Sequence, residues 1–110
     1  MSSKKEFIIM GVVEGYLCRA IGRCCDVPIR LGDQFDAVYR YKPPATLEDY
    51  AKEPELEAEE RRVSLRVEAI QSYERPVSHL SPGMTGTLQL SGVGCNFLGP
   101  GWVLGVSEDS

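Results

Sequence analysis

Cys24 and Cys25, followed by Asp26 and flanked by Arg23 and Arg30, are the one unusual cluster of reactive side chains in this 110-residue chain. A guanidinium near a thiol favours the thiolate, the nucleophilic and metal-binding form, so Cys24 and Cys25 are the candidate reactive thiols. Cys18 and Cys95 complete a set of four cysteines. The set is a poor zinc site, because it has no C-x-x-C pair, adjacent cysteines rarely serve one ion, and His79 is the only histidine. His79 itself lacks a neighbouring carboxylate to orient it, and its sequence does not pair it with Ser78, Ser81 or Cys95 as a nucleophile. No catalytic group, metal or cofactor is expected.

A second pattern suits binding rather than reaction. Tyr39, Tyr41 and Tyr73 interleave with Arg40, Lys42, Arg66 and Arg75, a mixture that supplies stacking surfaces and phosphate or carboxylate contacts together. These seven residues are the candidate binding surface. The alternation also fits a half-exposed strand with its aromatic face turned inward. Trp102, between Gly101 and Val103, is read as closing one end of the core rather than stacking on a ligand.

Elements that could position these residues follow from periodicity. Val63, Leu65, Val67 and Ala69 alternate with polar residues, a turn follows at Pro82-Gly83, and Leu88 and Leu90 alternate after Gly86; two strands are expected there. A first strand is expected from Phe7 to Val13, running on past Gly15 to Cys18, with Gly11 and Gly15 marking a bulge or close backbone approach. Ala20 to Asp26 reads as turn. Val27 to Leu31 leads through Gly32-Asp33 to a strand with Phe35, Ala37, Tyr39 and Tyr41 on one face. Gln71 to Pro82 reads as a turn and link, and a last strand is expected from Trp102 to Val106.

Pro43-Pro44 ends the fourth of these runs and opens an insertion, residues 43–62. Thr46 and Asp49 are spaced as a capping box, so a short helix is expected until Pro54. Thr46 to Glu60 holds seven acidic residues against Lys52, a net of −6 within a chain of net −4. The remainder is close to neutral, which disfavours DNA binding through a phosphate backbone. Residues 107–110 are expected to be a disordered tail.

The chain reads as one domain, residues 1–110, since 110 residues suit a single core. Eleven glycines and seven prolines favour strands and turns over helices. Lys4 and Lys5 precede the apolar run Phe7 to Val13, but Glu6 and Glu14 bracket it and no small-residue cleavage site follows. The run is therefore read as a strand rather than a signal peptide, and reduced thiols in the cytoplasm are expected, with no membrane contact.

Three stretches, IRLGDQF from Ile29, VEAIQSYERPVSHLSPGMTGTLQLSG from Val67 and LGPGWVLG from Leu98, occur in a recognisable order. Together they resemble the second domain of translational GTPases such as elongation factor Tu. The matches are Ile29, Leu31, Gly32 and Asp33 in the first; Val67, Ile70, Val77, Gly83, Leu88 and Leu90 in the second; Gly101, Val103 and Leu104 in the third. The resemblance implies an all-β fold, a small closed and mostly antiparallel barrel of about six strands, here as a stand-alone domain without the GTPase domain. The family pattern has no equivalent of residues 43–62. The phosphate-cradling G-x-x-x-x-G-K-[ST] stretch and an Asn-Lys-x-Asp run are both absent from the sequence, so GTP is not an expected ligand.

The expected function is a non-enzymatic binding module for a protein or RNA partner. The alternatives are a thiol-reactive or metal-binding protein built on the cysteines, and a self-associating structural protein using barrel edges or the acidic insertion.

Overall fold

The computed structural model describes residues 5–13, 18–41, 46, 48 and 60–106. Among these the strands are β1 (Glu6–Val13), β2 (Cys18–Cys24), β3 (Ile29–Arg30), β4 (Gln34–Tyr39), β5 (Arg61–Ser72), β6 (Arg75–Val77), β7 (His79–Leu80), β8 (Thr85–Val93) and β9 (Val103–Gly105). A 3-10 turn, Cys95–Phe97, follows β8. The described residues include no α-helix, and no helix long and apolar enough to cross a membrane. The helix expected in the insertion and the frayed tail lie outside the described residues.

Six strands pair in the order β4, β9, β1, β2, β8, β5, each antiparallel to its neighbour, and β5 pairs back onto β4. The sheet is a closed antiparallel barrel. Closure leaves no open edge within the ring itself. β6 continues β5 as a hairpin beyond the ring, and β3 pairs with β7 as a small separate ribbon.

The inward face of each strand fills the barrel. Phe7, Phe35, Leu65, Leu88, Leu90 and Leu104 are fully buried there, each stabilising the fold by about 1.5–3 kcal/mol relative to exposure. The residues that carried the family resemblance take structural places: Ile29, Val67, Ile70, Leu88, Leu90, Val103 and Leu104 are buried. Gly32-Asp33 forms the turn before β4, fastened to β5 by the Gly32 amide on the Val67 carbonyl and the Val67 amide on the Asp33 carbonyl, both 2.9 Å.

Three expectations change. Val13 lies opposite Arg19 in an antiparallel pair, so Cys18 belongs to the returning strand β2 and not to an extension of β1. Ala20 to Asp26 is largely strand rather than turn, since β2 runs to Cys24. Its inward residues, Cys18, Ala20, Gly22 and Cys24, are small, and so carry little hydrophobic signal. The expected link Gln71 to Pro82 likewise contains the end of β5 and two short strands, β6 and β7.

The β5–β6 hairpin turns in two residues, because Ser72 pairs with Arg75. Tyr73 and Glu74 take φ of 53° and 65°, the left-handed backbone that such a tight turn requires and that Asn-Gly adopts most cheaply. Each L-residue held there costs about 1–2 kcal/mol. Replacing the pair, Tyr73→Asn with Glu74→Gly, is expected to raise the thermal midpoint by several degrees, a shift that differential scanning calorimetry would register; an unchanged or lower midpoint would show that the native pair is not strained.

Candidate binding surface

β1 is apolar on both faces. Phe7 and Ile9 point into the barrel, whereas Ile8 and Met10 point outward, with Met10 60% exposed. Gly11 faces Ile21 across the β1–β2 pair, while Ile9 faces Gly22, so one extra residue, Met10, is bulged from β1. The bulge turns Val13 outward again. Exposed Ile8, Met10, Val13 and Ile21 therefore share the outer face of one hairpin. Ile8 and Ile21 are diagonal neighbours, roughly 7–8 Å apart by strand geometry.

Arg19 and Arg23 stand on either side of Ile21 along β2, both exposed. Neither forms a salt bridge among the described residues. The same face continues in the other direction through Val103 of β9, which pairs with Ile8, to Tyr39 of β4, which pairs with Val103. Tyr39, Val103 and Ala37 form an apolar cluster separate from the barrel interior, with Tyr41 packed against it.

This outer cluster is locked by one carboxylate. The Tyr39 hydroxyl donates to Glu6 Oε2 at 2.5 Å and the Tyr41 hydroxyl to the same oxygen at 2.6 Å. The two rings meet edge to face with centroids 5.5 Å apart. Burial first, and then the bond to Glu6, push both tyrosine hydroxyls well above their usual pKa. Their role here is to hold β4 against the start of β1.

The six described residues of the expected surface are thus dispersed. Tyr39, Arg40 and Tyr41 lie at the end of β4, with the Arg40 guanidinium against Gly101; Lys42 is outside the described residues. Arg66 faces Gln34 and Ser91 on β5, three strands around the ring from β1. Tyr73, 92% exposed, and Arg75 are at the hairpin tip beyond the ring. The Ile8, Met10, Val13, Ile21 stripe was not singled out from sequence. Its signal is the run FIIMGVV: in an antiparallel strand, apolar residues on both faces mean that each face is covered or available to be covered.

The cysteines sit at opposite mouths. Cys24 is fully buried, and its thiol donates to the Val27 carbonyl at 3.1 Å and lies 3.5 Å from that of Leu80. Burial raises the Cys24 thiol, and burial with the Glu6 and Asp26 carboxylates pushes Cys25 up to about 11, outweighing the opposing pull of Arg23. At neutral pH both are thiols rather than thiolates. Ser78 Oγ and His79 Nδ1 are in hydrogen-bond contact at 3.2 Å on the exposed β3–β7 ribbon. Among the described residues no group of three or more histidine, cysteine or acidic side chains could hold a metal ion.

The whole length of the chain superposes on part of translation elongation factor SelB from Methanococcus maripaludis, in the apo form, with a TM-score of 0.65 and 15% sequence identity. The fold is translation-factor-like. The chain spans 20% of the length of that elongation factor, so the likeness concerns one barrel within it. No protein-family model and no curated protein matches the chain. The structural likeness and the sequence resemblance to the second domain of translational GTPases agree on the translation-factor-like barrel, whose outer face on β1 and β2 is the candidate site.

Proposed function

We propose that this barrel is a non-catalytic module that binds a protein partner through the outer face of β1 and β2. The carrying observation is the exposure of four large aliphatic side chains, Ile8, Met10, Val13 and Ile21, together on one hairpin. Contiguous exposed apolar surface on a folded protein marks an interaction site. Arg19 and Arg23 border Ile21, so the complementary segment carries aliphatic side chains flanked by carboxylates. Aliphatic side chains offer no platform for base stacking, which favours protein over RNA on this face. The rigid lock of Tyr39, Tyr41 and Glu6 beside it keeps the surface formed before the partner arrives, and preorganisation lowers the cost of binding.

The test compares wild-type protein with Ile21→Asp and with the double reversal Arg19→Glu, Arg23→Glu in affinity capture from the source cell's lysate, with and without nuclease. Ile21 faces solvent, so the variants should keep the wild-type circular dichroism. Both are expected to lose a nuclease-resistant protein partner by at least about tenfold, equivalent to roughly 1.4 kcal/mol. Retention by both variants removes this face from the reading. A partner released by nuclease would assign the module to RNA instead.

A further inference from the structure

Cys18 and Cys95 are 77 positions apart in sequence and meet at the barrel mouth opposite Cys24 and Cys25. Cys18 opens β2 on its inward face, and Cys95 begins the 3-10 turn after β8; both are half-buried against the rim of the core. The Cys18 thiol points at the Cys95 backbone, with its Sγ 4.0 Å from the Cys95 carbonyl oxygen, which sets the two residues side by side. We propose that Cys18 and Cys95 are an oxidant-responsive pair that forms a reversible disulfide with hydrogen peroxide, fastening the 3-10 turn to the start of β2.

The chemistry balances with peroxide as the two-electron oxidant. The Cys95 sulfur attacks one peroxide oxygen, the O–O bond breaks, and sulfenic acid forms with release of one water. The Cys18 sulfur then attacks the sulfenyl sulfur, the S–O bond breaks, and the leaving hydroxide takes the Cys18 proton as a second water. Two thiols and one peroxide thus give one disulfide and two waters. Burial first, and then Cys95 beside it, push the Cys18 thiol up to about 12, so Cys18 stays protonated at neutral pH and does not open the sequence. A thiol reductant reverses the bond by exchange.

The cross-link acts on the mouth as a whole. The same turn carries Phe97, over which the Arg61 guanidinium sits at 5.1 Å from the ring centroid. Arg61 is the first residue of β5, so holding the turn also holds the entry to that strand.

The experiment treats the wild-type protein with hydrogen peroxide, blocks remaining thiols with an alkylating reagent, and reads intact mass and a non-reduced peptide map. Expected are loss of two of the four alkylatable thiols, a mass lower by two hydrogens before alkylation, a Cys18–Cys95 cross-linked peptide, and full recovery with dithiothreitol. Cys18→Ser is expected to stop at a dimedone-reactive sulfenic acid on Cys95. The wild-type map decides the matter even if that variant folds poorly. A bridge to Cys24 or Cys25, a covalent dimer, or oxidation to sulfinic acid with no cross-link would overturn the proposal.

Discussion

Adding one methyl group at Gly22 should cost the protein about 3 kcal/mol, the upper part of the range for overpacked cores. A Cβ built there falls on the Ile8 carbonyl oxygen and stands 2.7 and 2.9 Å from carbons of the Phe7 ring. The ring cannot retreat, because Phe7 is fully buried at the centre of the core, and the carbonyl belongs to the strand that pairs with β2. Gly22→Ala must therefore separate β1 from β2 or displace Phe7. The control is one step along the same pair. A Cβ at Gly11 meets nothing within 4 Å, so Gly11→Ala is expected to be neutral or to stabilise by up to about 1 kcal/mol through reduced chain entropy. Denaturant titrations of the two variants check this; equal midpoints for both would refute the packing argument at Gly22.

Glu6→Leu is the second large effect expected. It removes the acceptor shared by Tyr39 and Tyr41, and each hydroxyl left without a partner costs about 1–3 kcal/mol. Set against a typical stability of about 5–15 kcal/mol, that is a large fraction of the whole. Glu6→Gln keeps one carbonyl acceptor and should lose less. The same cluster sets an alkaline limit. Both tyrosines have folded-state pKa values raised above the unfolded value, so their contribution is present below the unfolded tyrosine pKa, about 10, and is lost as pH climbs past it. Tyrosinate absorbance should then rise together with loss of circular dichroism in wild type. Tyrosinate appearing well before unfolding would contradict the lock.

Much of the barrel was legible because its core obeys period two: Leu65 and Val67 point inward, as do Leu88 and Leu90, as the alternation predicts. β2 escaped that reading for a physical reason. One of its inward positions is crowded by Phe7 and filled by Gly22, and another is Ala20, so the apolar signal is slight and the glycine suggests a turn. The tyrosines escaped differently. Tyr39 points out of the barrel yet is buried, because Glu6, 33 positions away in sequence, reaches across β9 to cap it; no local pattern encodes such a cover. Ile8 lies between Arg23 of β2 and Val103 of β9, and the second of these partners was equally non-local.

The antiparallel joint between β4 and β5 has a consequence for how this barrel varies. Val38 pairs directly with Arg61, so the chain that leaves the ring after β4 re-enters it at a neighbouring point, whatever path it takes between. Lengthening a connection between two fixed neighbouring points costs only about 0.6 kcal/mol for each doubling. The joint is a splice point: sequence of new length and charge can be exchanged there while the six-strand ring keeps its register.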